Sequence, residues 1–255
     1  MILGAIVLAF IVPTAVIADP EQQPPVERTF ELGVALGRYP GMEDDNSDGQ
    51  SFLLRWFKPK EFDIRLSGGR QQRFGESTLG IGVGYGRFLT DKTKLTIGAS
   101  TSTGELAPQW SASVFVRRPF FDTVPISLGY IHDHWETGGR NDRVSLGAEK
   151  WSKHWIVEAA VRYNMNDPGN HDGWGGNLGL TWYRWKKIYV GAGYNFGDVR
   201  YEPVGFENVL VEYEVRGSYL TVEHWFTPRS GIGFRLGQAD NPESYGIRVR
   251  WFTRW

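Results

Sequence analysis

From Thr29 to the C-terminus the chain carries apolar side chains at every second position, with glycine, small polar or charged residues between them. Phe30, Leu32, Val34 and Leu36 alternate with Glu31, Gly33, Ala35 and Gly37. Leu79, Ile81, Val83 and Tyr85 alternate with Gly80, Gly82, Gly84 and Gly86, and Ile188, Val190, Ala192, Tyr194 and Phe196 repeat the pattern. Successive side chains of a strand point to opposite faces, so each segment has one apolar face and one polar or empty face. After Ala18 no run approaches the roughly 20 apolar residues of a helical span. A membrane-embedded version of this chain therefore crosses the bilayer as strands.

Alternation alone also suits a half-buried soluble sheet, and the turns supply the distinction. Strands are expected near 29–38, 50–57, 61–70, 77–88, 94–103, 110–118, 125–135, 142–151, 155–165, 174–185, 188–198, 215–226, 231–238 and 244–255. Short connections such as Lys186-Lys187 and Ser152-Lys153-His154 alternate with longer ones such as Tyr39–Gly49 and Val199–Glu214. Short periplasmic turns and longer outward loops are the habit of outer-membrane barrels. The expected fold is all-β: a closed antiparallel up-and-down transmembrane β-barrel of about 14 strands, with 12 as the alternative. An even count returns both termini to the short-turn side.

A repeat supports the barrel. Each even-numbered strand reaches its short-turn end with a basic residue and then an aromatic, and Trp56, Phe88, Phe120, Trp151, Trp185, Trp225 and Trp251 recur about every 32 residues. These rings are expected to form one girdle in the headgroup layer. Counting back from Trp255 in twos gives Thr253, Trp251, Val249, Ile247 and Tyr245, a mostly apolar stripe that resembles the C-terminal assembly signal of outer-membrane barrels.

Residues Met1 to Ala18 form an apolar run before Asp19 and are expected to be a signal peptide. Residues 19–28, with Pro24-Pro25, form a short periplasmic linker, and 29–255 the barrel. With no cysteine there is neither a disulfide framework nor a lipid-modified N-terminal cysteine. A net charge of −1 lacks the basic excess of a nucleic-acid binder.

If the apolar stripe faces lipid, the other stripe faces a lumen. It carries the cations Arg55, Arg65, Lys94, Arg117, Arg162, Arg235, Arg248 and Arg250 against the anions Glu31, Asp63, Glu149, Glu158 and Glu223. Charge in lipid costs about 2–4 kcal/mol at midplane, which favours keeping both signs on the inner face. Two readings of that face stay open: a basic lumen that favours anionic solutes, or ion pairs that fill the barrel. Phe57, Phe115, Trp151, Tyr189, Tyr219 and Trp225 also project inward on this pattern. In a roomy lumen an inward methyl, as in Gly193→Ala, is expected to be tolerated better than an outward Val190→Arg.

Other constellations carry less. His132 and His134 share one face with Asp133 opposite, a pair that suits metal or water activation but lacks a third ligand and a nucleophile. Asp44-Asp45-Asn46-Ser47-Asp48-Gly49 matches the first half of a calcium loop, but Arg55 stands where a bidentate glutamate belongs. No catalytic residue, metal or cofactor is expected.

With its apolar leader, a barrel of about 230 residues, repeated tryptophan hairpin ends and stretches such as Gly80-Ile81-Gly82-Val83-Gly84-Tyr85-Gly86, the chain resembles the YaiO-like family of outer-membrane β-barrels. The resemblance implies outer-membrane location and a role linked to envelope polysaccharide. The expected partners are outer-membrane lipid and lipopolysaccharide, the barrel assembly machinery, and an anionic solute or polysaccharide. The expected function is a pore or conduit; a structural barrel with a packed lumen and a lipid-modifying or hydrolytic enzyme are the alternatives.

Overall fold

The computed structural model of the protein describes residues 26–40, 46–73, 75–104, 107–120, 124–136, 138–167, 172–201, 211–240 and 243–255, with the backbone alone for 198–201 and 211–215. The leader and the linker up to Pro25 lie outside them. Fourteen strands follow in order: β1 Glu27–Arg38, β2 Asn46–Lys58, β3 Phe62–Arg73, β4 Glu76–Phe88, β5 Lys94–Thr103, β6 Trp110–Phe120, β7 Val124–His134, β8 Arg140–Trp151, β9 Trp155–Asp167, β10 Gly173–Arg184, β11 Ile188–Tyr201, β12 Val211–Trp225, β13 Ser230–Asp240 and β14 Glu243–Arg254. Each pairs antiparallel with its sequence neighbours, and β1 closes on β14. The chain ends meet at closure, where Arg28 and Trp255 exchange backbone hydrogen bonds of 2.9 and 3.0 Å.

All the expected strands form, and several run further outward than expected. β2 starts at Asn46, β3 runs to Arg73, and β11 and β12 extend to Tyr201 and back from Val211. Above the lipid both faces turn polar and alternation disappears, although the backbone still needs its ladder partners. The contrast between short and long turns is correspondingly weaker. β3–β4 and β13–β14 are joined on the outer side by residues 74–75 and 241–242 alone. The periplasmic three-residue turns place Lys60 and Lys186 at φ 63° and 47°, the left-handed residue that such hairpins require.

The ladder climbs about one residue per strand. Glu27 pairs Phe57, Phe57 pairs Asp63, Asp63 pairs Gly86, and the circuit closes about 14 residues up β1. Fourteen strands about 4.8 Å apart and tilted about 40° enclose a backbone cylinder of roughly 14 Å radius.

The molecule is inside out. Leu36, Leu79 and Val83 lie 56, 58 and 58 % exposed on its outer wall, whereas the buried hydrophobic residues among those described are Phe57, Trp225 and Phe252, all facing the lumen. The seven recurring aromatics do not form one girdle. Trp56, Phe120 and Trp251 face outward, Phe88, Trp151 and Trp225 face inward, and Trp185 sits in a turn. A one-residue change of register between hairpins flips the face, so a repeat of constant length fixes depth but not side. Lipid-facing Trp56, Phe62, Phe120, Trp155 and Trp182 make the periplasmic girdle instead, and Trp110, Tyr163, Trp174 and Tyr245 the outer one. The two rings are roughly 20 Å apart along the axis, close to the apolar band of an outer-membrane barrel.

Candidate functional site: the lumen wall

Register places every sequence-selected charge, Glu31 and Asp63 included, on the inner face. Asp133, Arg143 and Arg254 also point inward and were legible from the same alternation; Arg73 lies past the end expected for β3. From the periplasm upward the wall has three layers.

The first is aromatic. Phe57, Trp151, Tyr183, Tyr189, Trp225 and Phe252 ring the inner mouth, with Tyr183 stacked on Tyr189 at 5.7 Å and Trp225 edge-on to Phe252 at 4.7 Å. The Arg254 guanidinium lies 4.6 Å over Trp225.

The second layer is ion-paired. Asp63, 1 % exposed, takes bidentate bonds from Arg55 (2.7 and 3.0 Å) and Arg65 (3.2 and 2.7 Å) and a third partner in Lys94 at 2.5 Å. The three cations converge because β2, β3 and β5 each project one residue toward Gly86, whose missing side chain leaves room for Lys94. Arg117 pairs with Glu149 at 2.8 Å, and Trp151 Nε1 donates to the same carboxylate at 3.2 Å. Arg250 bridges Glu31, at 3.3 Å, and Glu223, to which Trp225 Nε1 donates at 2.7 Å.

The third layer is an arc at one depth. Because the ladder climbs one residue per strand, Arg162, Asn177, Asn195, Tyr219, Arg235 and Arg248, one from each of β9 to β14, lie within about 5 Å of one another along the axis. Arg235 lies 3.9 Å over the Tyr219 ring, and the Tyr219 hydroxyl donates to Glu158 at 3.4 Å. Arg162, Asn177, Asn195 and Arg248 have no hydrogen-bonding or oppositely charged side-chain partner among the described residues. The charged neighbour of Arg162 is Arg143, and those of Arg248 are Arg250 and Arg235. The wall at this depth on β2 to β8 is Ser51, Gly69, Gly82, Ser100, Ser113, Ile131 and Ser145.

Large inward side chains recline across glycines of the next strand. Tyr219 covers Gly193, Phe115 covers Gly129 and Phe252 covers Gly231, while Glu158, Arg250 and Arg162 come within 2.5, 2.8 and 2.9 Å of where a Cβ would stand on Gly179, Gly233 and Gly175. The room expected around Gly193 is thus occupied by a phenol. Gly80, Gly82 and Gly84 of β4, by contrast, form a smooth strip above Gly86, which Lys94 covers.

The discounted constellations resolve simply. His132 and His134 face outward against the Trp110 ring, at 4.9 and 5.6 Å, and His132 Nδ1 lies 2.7 Å from Asp142. Asp133 points into the barrel and accepts from Ser111 at 2.5 Å, so it does not orient either imidazole. Asn46 to Gly49 belong to β2, where Asp48 faces out and Ser47 in, and their oxygens do not converge; Asp44 and Asp45 lie outside the described residues.

No family model and no curated relative matches the sequence. Solved structures do match. A bacterial polysaccharide outer membrane secretin superposes with a TM-score of 0.61 at 9 % identity, over 89 % of this chain and 98 % of that one. The CymD monoaromatic hydrocarbon channel gives 0.60 at 9 % identity over 91 and 88 %, and Omp33 of Acinetobacter baumannii 0.54 at 13 % over 90 and 99 %. At such identities the likeness is one of fold. With the closed ladder and the apolar outer band, it makes this chain an outer-membrane barrel.

Proposed function

We propose that the barrel is a passive channel whose lumen favours anionic solutes. The observation that carries this is the pair Arg162 and Arg248, which project inward without an acidic partner among the described residues, opposite a wall of glycine and serine. Small inward residues over half of a cylinder of roughly 14 Å radius support an open outer lumen. The paired layer below gives the contrasting reading, a structural barrel, its strongest footing, because Asp63 and its three cations fill space at the inner mouth. Membership of the YaiO-like family, which rests on the sequence resemblance, and a polysaccharide cargo belong to the same proposal, and the fold shared with a polysaccharide secretin accords with the cargo. The hydrolytic alternative loses the Asp133–histidine pair, since Asp133 and the two histidines lie on opposite faces of the wall.

The test is planar-bilayer recording of the refolded native chain. Discrete current steps are expected, with a reversal potential toward the chloride side of a salt gradient. Silent bilayers containing correctly folded barrel would establish the packed reading.

A further inference from the structure

Six consecutive strands contribute one hydrogen-bonding side chain each at a common depth, and the sequence Arg, Asn, Asn, Tyr, Arg, Arg is richer than anion attraction requires. Arg235 and Arg248 are directly opposed across the β13–β14 ladder, a like-charge pair; Glu158 is the anion near Arg235, whereas Arg248 has no acidic side-chain partner among the described residues. Arg235 is held 3.9 Å over the Tyr219 ring, whereas Arg248 is exposed to the lumen. Guanidinium groups grip carboxylates through paired N–H donors. Asn177 and Asn195 are likewise directly opposed, across β10 and β11, and neither carboxamide is bonded to another described side chain. A carboxamide both donates and accepts, which is what a hydroxyl needs and a bare anion does not. At the far end of the arc Arg162 leans over Gly175 and supplies a third guanidinium.

We propose that the arc Arg162–Asn177–Asn195–Tyr219–Arg235–Arg248 is a binding belt for an acidic saccharide, with the arginines on its carboxylates and the two asparagines on its hydroxyls. The belt deepens the channel reading and rests on it for access, because the ligand reaches this depth through the lumen. Tyr219 is a positioning residue: its ring carries Arg235 and lies across Gly193, so it orients a guanidinium. The opposite wall, Ser51, Gly82 and Ser100 at this depth, leaves clearance for a chain of sugars to pass the belt.

The experiment is titration calorimetry on the barrel refolded in detergent, with trigalacturonate, maltotriose and inorganic phosphate as probes. Trigalacturonate is expected to bind at least tenfold more tightly than either of the others. Arg248→Ser should weaken it about tenfold and the pair Asn177→Ala/Asn195→Ala severalfold, while Ser100→Ala on the opposite wall leaves it unchanged. A retained heat-modifiable gel band shows that each variant is folded. Equal binding of phosphate would reduce the belt to a plain anion site, and equal binding of maltotriose would remove the need for its arginines; either result overturns the proposal, as does no binding. The detergent assay is independent of conduction, so binding without bilayer current would keep the belt and sink the channel, and current without binding would do the reverse.

Discussion

The two sides of the lumen are built on opposite principles. Along β1 to β7 the middle of the inner face is mostly glycine and serine, most of the bulky charges are gathered low, locked onto Asp63 and Glu149, and Arg73 and Asp133 stand at the outer rim. Along β9 to β14 the polar groups stand at mid-depth, four of them without side-chain partners among the described residues, and large side chains lie across glycines. The first side ties its ionic groups between strands and carries small residues above them, while the second holds Arg162, Asn177, Asn195 and Arg248 without side-chain partners among the described residues. One alternating code yields both, because the inner face of a barrel is free to carry any side chain that the lumen has room to seat.

Mutations should separate the two sides, most strongly where charge is locked. Asp63→Ala leaves Arg55, Arg65 and Lys94 confined without their shared carboxylate and should cost about 3–5 kcal/mol in a urea refolding titration. Loss under 1 kcal/mol would mean that water already screens the cluster. Next, Val83→Arg, near the middle of the apolar band, should cost about 2–4 kcal/mol; a neutral result would show that this face does not meet lipid. Gly193→Ala drives a methyl into the Tyr219 ring and should cost about 1–3 kcal/mol, and Tyr219→Ala in the same chain should recover most of that. On the smooth side Gly80→Ala, whose methyl would meet Thr101 O at 3.6 Å and nothing closer, should change stability by no more than about 0.5 kcal/mol. Equal penalties at Gly193 and Gly80 would erase the distinction between the walls.

Strand number, topology and the side of each charge were readable because a period of two assigns a face to every residue once one face is known to meet lipid. Three things were not. The outer ends of β2, β3, β11 and β12 carry polar residues on both faces, so nothing in their pattern distinguishes a strand from a loop. The repeating Trp and Phe positions fixed depth, yet their faces depend on a one-residue register that the turns set. The partnership of Tyr219 with Gly193 joins residues on neighbouring strands through a rotamer, which alternation cannot express. Arg248 and Arg250 look equivalent two residues apart on β14, yet only Arg250 meets acids, Glu31 and Glu223.

That last difference makes the most direct test. Reversal potentials in planar bilayers, under a salt gradient and at low ionic strength where screening is weak, should show anion preference in the native chain. The preference should be largely lost in Arg162→Ser/Arg248→Ser and kept in Arg117→Ser, whose charge is paired with Glu149. Cation preference in the native chain, or an equal loss from Arg117→Ser, would contradict a lumen whose selectivity lies in its unpaired arginines.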